Sequence, residues 1–425
     1  MSKQDSSSDE RNSANAIQTT TQLRGNLRIF QALRNHGFRF LWISGFLAYI
    51  CRWMDIVVMG WLVLELTDSY LLLGIAAACR MAPMLVFGLI AGVAADRLNR
   101  RKLVMTAWTI RGLIYFLMAF LISTGLIQFW HIMIISFLNG TCATFDWVNR
   151  RALISDLVDK RDLTNAIALE TSAMYATGII GGLTGGVFIT LIGVSNSYYI
   201  MVGMLGVSIL LLLRIGPISK VSTAVIESIW RSLGQGFNYV RTKQAMIAVL
   251  AVTVVMNAFF LPYIRLLPIF ARDVLGVGPK GLGVLAASPP AGALIGSLTL
   301  ASRGSLKRPG LIFLIGSMSA GVILVLFSLS NYYALSVTLL VATGIMQAFF
   351  SVLQSTILLT LASVEMRGRV MGLLSLCIGA MPLGIFGAGA IANLIGAPYI
   401  VRLGGVASVI AVFIILLFTP SLRRL

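Results

Sequence analysis

Charged side chains inside long apolar segments are the residues of this sequence best suited to chemistry. Arg52 and Asp55 lie three positions apart in one such segment, and Arg80 lies in the next. A carboxylate deep in an apolar environment can take up a proton when its surroundings change, because burial disfavours the charged form. Asp55 is therefore our first choice for a proton-titrating group, with Arg80 or Arg52 as its ion-pair partner. The alternative is a permanent structural ion pair.

Other buried charges are interpreted as more structural than functional, because they lie nearer to the ends of their segments. Arg111 and Asp146 are placed to pair with each other in neighbouring segments. Glu170 follows the next polar corner and is placed to bind Arg150 or Arg151.

Arg265 is the deeply placed charge of the second half of the chain, and it lies between Pro262 and Pro268. Proline can break a helix and free backbone carbonyls toward a cavity. Arg265 is thus predicted to meet an anionic substrate or an acid from the first half. Aromatic, thioether and amide side chains of the same half suit a bulky, partly apolar ligand or, equally, ordinary packing. They are Phe259, Phe260, Tyr263, Met346, Gln347, Phe349, Phe350 and Gln354.

The apolar segments that must position these charges have the length of membrane-spanning helices. Hydrophobic residues make up 58% of the 425-residue chain and charged residues 11%, whereas soluble domains carry about 25% charged residues. Spanning helices need about 20 apolar residues, whereas barrel strands would show alternating segments of about 10. The sequence predicts an all-α integral membrane protein with twelve spans at 40–66, 70–94, 102–124, 128–150, 165–192, 197–214, 245–271, 281–301, 310–329, 332–360, 369–394 and 399–419.

Loop charge predicts the orientation of these spans. Most of the 33 Lys and Arg residues fall in loops on the side of the N-terminus, and the opposite side holds Arg272, Lys280 and Arg402. The positive-inside rule therefore places both termini in the cytoplasm. The predicted organisation is a cytoplasmic tail (1–38), a six-helix bundle (39–214), a cytoplasmic loop (215–243) with an amphipathic helix from Ile226 to Tyr239, a second bundle (244–420) and a short tail (421–425).

A weak internal repeat indicates that the two bundles are related. An offset of about half the chain aligns Gly140 with Gly344 and Phe145 with Phe349, and a polar corner follows in both copies. Duplication at half-chain spacing is how many transporters are built. We therefore predict two pseudo-symmetric six-helix bundles.

The corner between spans two and three carries an acid followed by several basic groups, from Gly92 through Asp96 to Lys102. Asp96 can cap a helix N-terminus or pair with arginine. Asn99 tolerates the left-handed conformation that a tight corner often requires. The alternative interpretation is a positively charged anchor loop.

Span five carries a cluster of glycines, which weaken a helix by about 1 kcal/mol each relative to alanine. Small residues on a membrane helix permit close packing against other helices. A structural need for close approach is therefore implied. The cluster consists of Gly178, Gly181, Gly182, Gly185 and Gly186.

Two of these patterns resemble signatures of the major facilitator superfamily. The corner that begins at Gly92 resembles Gly-x-x-x-Asp-Arg-x-Gly-Arg-Arg, with Asn99 in place of the usual glycine. The segment from Gly181 to Gly186 resembles the Gly-Pro-x-x-Gly-Gly signature of facilitator antiporters, with Gly182 in place of proline. The segments from Trp61 to Ser69 and from Met366 to Val370 are similar to the branch that contains drug and siderophore exporters.

The resemblance implies a cytoplasmic gate and an outward direction of transport. Asp96 would hold the two halves together against the start of span eleven, near Arg369 or the backbone around Met371. The other implied gate residues are Gly92, Arg97, Arg100 and Arg101. The glycines of span five favour export.

The sequence as a whole favours secondary transport in the bacterial inner membrane. We predict proton-coupled efflux of a small lipophilic or siderophore-like molecule by a monomer through alternating access. The alternatives are an importer or facilitator of the same fold and a non-transporting membrane receptor. No enzyme, cofactor, metal or nucleic-acid site is predicted, because His36 and His131 form no catalytic arrangement, the four cysteines have no ligand spacing, and the net charge of +18 comes from alternate loops.

Overall fold

The computed structural model describes residues 31–159, 162–216, 229–302, 306–423 and 425, and these are almost entirely helical. In the first half, a 3-10 turn (Gln31–Arg34) precedes span one. Spans one to four are His36–Thr67, Tyr70–Arg97, Arg100–Ser123 and Phe129–Leu157. Spans five and six form one helix, Leu163–Leu213, which kinks at Gly193 (φ 83°).

The central loop contains the helix Ile229–Arg241. The second half begins with span seven, which has four parts: Gln244–Val255, a π-helical turn (Met256–Phe260), Tyr263–Ile269 and a second π-helical turn (Phe270–Val274). Spans eight to ten are Gly278–Ser302, Pro309–Leu329 and Tyr333–Leu361. After a 3-10 turn (Val364–Met366), span eleven comprises Arg367–Ile378 and Met381–Ile395. Span twelve is Ala397–Phe418, and Pro420–Arg423 forms a final turn.

The predicted twelve-span fold is confirmed. Within the described ranges, 10 helices are long and apolar enough to cross a membrane, and one of them, Asn165–Leu213, covers both span five and span six. Span four falls outside that set, although it has 29 residues. Its polar side chains, including Asn139, Asp146 and Asn149, are buried against neighbouring helices rather than turned to lipid.

The corner between spans two and three differs from the prediction. Asn99 has φ −66° and ψ 108°, an extended rather than a left-handed conformation. Its side chain accepts a hydrogen bond from the Lys102 backbone N–H at 3.2 Å, so Asn99 is the N-cap of span three. An N-cap asparagine satisfies a free helical donor, which explains why the turn tolerates asparagine at the glycine position of the signature.

The prolines of span seven interrupt the regular α-helix but do not end the span, because Leu261 and Pro262 form a turn between a π-helical turn and the helix Tyr263–Ile269. Two π-helical turns, Met256–Phe260 and Phe270–Val274, flank the segment that contains both prolines. The Leu261 N–H bonds the Met256 carbonyl at 2.9 Å, and the Leu275 N–H bonds the Phe270 carbonyl at 2.8 Å. A π turn adds one residue to the helical ladder, and the span continues across the membrane.

The twelve spans pack as two bundles. In the first half, span two packs on span four, and span three packs on spans four and six; in the second half, span eight packs on span ten, and span nine packs on spans ten and twelve. The halves meet along two seams, where span five crosses span eight and span two crosses span eleven. We call the ends marked by Arg100, Leu163 and Arg367 the basic face, and the ends marked by Thr67, Val274 and Ile395 the opposite face.

Candidate functional site

Asp55 is the centre of a polar network buried in the first bundle. Its carboxylate forms an ion pair with the Arg80 guanidinium. It also accepts hydrogen bonds from the Asn139 amide at 2.9 Å and the Tyr198 hydroxyl at 3.0 Å. These four residues come from spans one, two, four and six. With 2% of its surface exposed, Asp55 links four helices through one carboxylate.

The tight crossing of spans two and four brings Arg80 to this network. A Cβ added at Gly140 would collide with the Arg80 backbone carbonyl oxygen. The absence of a side chain at Gly140 therefore lets span two approach closely, and Asn139 next to it reaches Asp55. The aligned glycine of the second half, Gly344, meets the Pro289 carbonyl of span eight in the same way.

Arg52 does not pair with Asp55, and Arg80 takes that place. Arg52 lies one helical turn before Ile56, which lines a cavity between the two halves. Arg265 lines the same cavity from span seven, and its Nε atom is buried without a hydrogen-bond partner. The structure thus places Arg265 on the cavity lining, with Arg52 one helical turn from it, and keeps Asp55 and Arg80 inside the first bundle.

The cavity is formed by spans one, two, seven and eight. All of its lining side chains are apolar except Arg265 and the indole N–H of Trp53. The lining residues are Trp53, Ile56, Val57, Met59, Gly60, Leu73, Ala77, Ile264, Arg265, Leu267, Pro268, Leu282 and Ala286. Such a lining favours apolar groups over polar ones.

Asp146 and Glu170 of the first bundle each have an arginine partner. Asp146 lies 3.7 Å from Arg111 and accepts a hydrogen bond from the Trp108 indole at 2.9 Å. Glu170 accepts a hydrogen bond from Arg150 Nε at 2.5 Å and another from the Tyr49 hydroxyl at 2.9 Å. These pairs tie neighbouring spans together within one half.

Span five separates its glycines onto two faces. Gly181 and Gly185 pack on span one, where added Cβ atoms would lie 2.6 Å from Trp53 Cβ and 3.2 Å from Val57 Cβ. Gly178, Gly182 and Gly186 pack instead on span eight. An added Cβ would lie 2.9 Å from Pro290 Cβ at Gly178, 2.9 Å from the Ala287 backbone nitrogen at Gly182, and 2.7 Å from Gly283 Cα at Gly186. One glycine face therefore packs within the first bundle and the other forms the seam between the halves.

The opposite face carries a polar clasp between the halves that the sequence analysis missed. The clasp consists of Asp68, Tyr70, Arg272 and Asp273. Arg272 bonds Asp68 at 2.6 Å and the Leu64 carbonyl at 2.9 Å, and the Tyr70 hydroxyl donates to Asp273 at 2.9 Å. The signal available in the sequence was that Arg272 is one of few basic residues on this side.

Backbone contact reinforces the clasp. An added Cβ at Gly74 of span two would lie 2.7 Å from Gly389 Cα of span eleven. In the other seam, Gly283 of span eight contacts Gly186 of span five near the opposite-face end of both spans. The halves are therefore closed against each other at the opposite face.

Removal of the clasp arginine is expected to loosen this closure. Arg272→Gln removes an ion pair whose Asp68 partner is mostly exposed, and such pairs contribute up to about 1 kcal/mol. We expect a cysteine placed at Leu282 in the cavity to react up to about fivefold faster with an impermeant maleimide applied at the opposite face. Lys280→Gln on the same face is the matched control, and equal labelling of the two variants would exclude a role for the clasp.

On the basic face, two arginines of the signature, Arg100 and Arg101, bind residues of the first half. Arg100 forms two bonds of 2.8 Å with the Asp156 carboxylate, and Arg101 bonds the Leu212 and Leu213 carbonyls at the end of span six at 3.2 and 2.7 Å. The side chains of Gly92, Asp96 and Arg97 lie outside the described part of the structure. The predicted contact between Asp96 and span eleven thus stays a prediction.

The helix Ile229–Arg241 of the central loop packs on the start of span eleven, where Gly236 faces the Arg369 backbone. The Tyr239 hydroxyl accepts hydrogen bonds from the Ser363 N–H at 3.0 Å and the Lys243 ammonium at 3.1 Å. These two donors lower the pKa of Tyr239. The helix is thereby attached to the basic-face ends of spans ten and eleven.

The aromatic residues predicted as a ligand wall belong mostly to the packing of the second bundle. Phe350 stacks on Phe313 of span nine, and Phe260 and Tyr263 are buried against each other. Gln354 donates to the Thr253 hydroxyl at 2.5 Å. Among the residues that the structure describes, no group of three or more His, Cys, Asp or Glu side chains is arranged to hold a metal ion.

Known structures with this architecture are transporters. A bacterial homologue of the human lysosomal transporter Spinster, in an inward-facing and unoccupied conformation, superposes with a TM-score of 0.69 at 16% identity, over 93% of this chain and 98% of that one. A mutant of the peptide transporter POT in complex with sulfate gives 0.73 at 12% identity, over 91% and 95%. The fold of this chain is the one that these transporters share.

The sequence places the chain within a family of that fold. The profile of the transmembrane secretion effector family matches residues 28–423, and the chain belongs to this family. It is therefore a multi-pass membrane transporter of the major facilitator superfamily and not an enzyme. Enterobactin exporter EntS of Shigella boydii serotype 4 (strain Sb227) is 27% identical over 358 residues, which are 80% of this chain and 84% of that protein. The corresponding protein of Shigella flexneri is 26% identical over 356 residues, again 80% and 84%.

Proposed function

We propose that this transporter exports a small, largely apolar molecule from the cytoplasm in exchange for protons. It acts by alternating access as a monomer in the bacterial inner membrane, with both termini cytoplasmic. The main support for proton coupling is the buried Asp55 carboxylate, which accepts hydrogen bonds from side chains of three other spans. The outward direction rests on the exporters that resemble the chain and on the antiporter-like glycines of span five.

A proton on Asp55 would change the forces within the first bundle. The neutral acid no longer attracts the Arg80 guanidinium, and its ion pair is lost. Span two, which carries Arg80, also forms the seam with span eleven. Protonation at this single site therefore weakens the link between span two and spans one, four and six. We infer that this loosening accompanies the exchange between the two open states.

We infer the place of the present conformation in the cycle from the closed opposite face, which lies on the outer side in the proposed orientation. With the clasp formed and the seams in backbone contact at that face, the described state corresponds to the inward-facing half of the cycle. In it, Asp55 is shielded from bulk water by its burial. We infer that Asp55 takes up and releases a proton when the bundles move.

A growth assay tests direction and substrate class together. The chain is expressed in a bacterial host that lacks its own efflux pumps, and the host is challenged with a panel of toxic apolar compounds. Secretion of enterobactin is measured in the same host, in a strain without its own exporter of that molecule. If the chain is an exporter, it should protect the host from a toxic compound or restore enterobactin secretion, and Asp55→Asn should lose this effect. Increased sensitivity to a compound would instead identify an importer, and no change in any condition would favour a receptor.

A further inference from the structure

The charges that lie deep within the described spans do not balance. Five arginines and three carboxylates lie at least about two helical turns inside the span ends. They are Arg52, Arg80, Arg111, Arg150, Arg265, Asp55, Asp146 and Glu170. Each carboxylate pairs with one arginine, in the pairs 55–80, 146–111 and 170–150. Arg52 and Arg265 are the arginines left over.

Neither remaining guanidinium has a counter-charge within ion-pairing distance among the described residues. The electrostatic neighbours of Arg265 include Arg80 and Arg52, which repel it, and Asp55, which is already paired with Arg80. Its Nε atom is buried and donates to nothing in the described chain. Both side chains are partly exposed, and the free-energy cost of an unpaired charge rises as it is withdrawn from water. A bound anion would supply what both arginines lack.

The cavity beside Arg265 defines the rest of such a ligand. Trp53 and Ile56 of span one face Pro268 of span seven and Leu282 of span eight across an apolar space. Arg265 is the charged residue on its lining, and Arg52 lies one turn before Ile56 on the same helix. An acidic group at one end of the ligand and an apolar body at the other match this arrangement.

We propose that the cavity between spans one, two, seven and eight binds an amphipathic organic anion. Its acidic group lies between Arg52 and Arg265, and its apolar body contacts Trp53 and Leu282. This inference rests on the proposed transport function and names its substrate class. Because the two arginines belong to opposite halves, the anion bridges the bundles and neutralises charges that otherwise repel each other. Binding is thereby coupled to the relative position of the halves.

A binding assay on the purified full-length chain in neutral detergent tests the proposal without any gradient. The probes are 2-naphthoate, the neutral 2-naphthamide and the cationic 2-naphthylmethylamine, which share one apolar body. We expect 2-naphthoate to bind at least about tenfold more tightly than the other two, in line with the strength of charge-assisted hydrogen bonds. Equal binding of the three probes would overturn the proposal.

Substitutions locate the anion. Arg265→Gln and Arg52→Gln should each weaken 2-naphthoate binding about tenfold or more and leave 2-naphthamide binding unchanged. Arg265→Lys, which keeps the charge, should retain part of the affinity. Arg241→Gln on the exposed loop helix is the matched control. Full 2-naphthoate affinity in Arg265→Gln with an unchanged melting temperature would refute the site.

The anionic headgroup of a lipid could bind the two arginines in the same way as a soluble anion. A competition experiment with an anionic lipid distinguishes the two ligands. Phosphatidylglycerol is added in stoichiometric amounts. If it displaces 2-naphthoate from the wild type and Arg265→Gln no longer binds it, the site belongs to a lipid and the substrate assignment is overturned. If 2-naphthoate binding persists, the assignment stands. If the wild-type chain binds 2-naphthoate but shows no proton-driven flux, only the proposed proton coupling is refuted. The failure of the proposed function can therefore be distinguished from the failure of the anion site.

Discussion

Asp55→Asn is expected to abolish proton-driven flux, with at least about a hundredfold loss, and to lower the melting temperature of the purified protein. The amide cannot release or bind a proton in the working range, so no proton can be exchanged at this site. It also leaves Arg80 buried without its counter-charge, and breaking a buried ion pair in this way costs about 3–5 kcal/mol. Flux under an imposed pH gradient and thermal unfolding in detergent measure the two effects separately.

A double variant separates coupling from stability. In Asp55→Asn/Arg80→Gln neither charge remains, so much of the lost thermal stability should return. Proton-driven flux should stay absent, because the titrating group is still missing. If flux returns together with stability, Asp55 serves only as a structural ion pair. If Asp55→Asn alone transports at the wild-type rate with the same dependence on the gradient, the coupling assignment is wrong.

Gly186→Ala is expected to reduce transport about tenfold or more and to shift the protein toward a state open at the opposite face. The added methyl group would collide with the Pro279 carbonyl oxygen and lie 2.7 Å from Gly283 Cα. Both are backbone atoms, which cannot rotate away as a side chain can. The seam between spans five and eight must separate to accommodate the methyl group, and the closed opposite face loses stability relative to the open one.

The same helix offers a matched control for this substitution. An added Cβ at Gly206 in span six has no atom within 4 Å. Gly206→Ala should transport normally and gain up to about 1 kcal/mol from the better helix propensity of alanine. A cysteine at Leu282, in a background without the four native cysteines, reports opening through its reaction with an impermeant maleimide. If labelling and transport of Gly186→Ala match those of Gly206→Ala, closure does not depend on this glycine contact.

The sequence predicted the fold well because the physical signals of a membrane helix are strong. Apolar runs located the spans, and the aligned glycines at positions 140 and 344 indicated that the two halves are related. The structure shows both glycines at equivalent helix crossings, between spans two and four and between spans eight and ten. Span four was recovered although its polar residues lower its hydropathy, because the loop charges on either side require a crossing there.

Details that depend on local geometry were predicted less well. The sequence cannot distinguish a left-handed corner residue from an N-cap at Asn99, because asparagine suits both roles. It also cannot show that π-helical turns accommodate Pro262 and Pro268 within one continuous span. In both cases the outcome depends on hydrogen bonds between residues several positions apart.

Part of the candidate site followed from the sequence, and the rest required three-dimensional contacts. Charge types and helical depth indicated that Asp55 would pair with Arg52 or Arg80, but only the crossing at Gly140 selects Arg80. Tyr198 and the clasp residue Arg272 carry no local signal of their partners. Each bonds a residue far away in the sequence that packing alone brings near.

Flux in proteoliposomes tests the central claim of proton-coupled export most directly. The purified chain is reconstituted with an acidic interior, and the external medium contains the compound identified by the growth assay. We expect the compound to accumulate inside against its concentration gradient while protons leave, and a protonophore should abolish both movements. Asp55→Asn should give neither. Equilibration of the compound to equal concentrations at the same rate with and without the pH gradient would contradict the account.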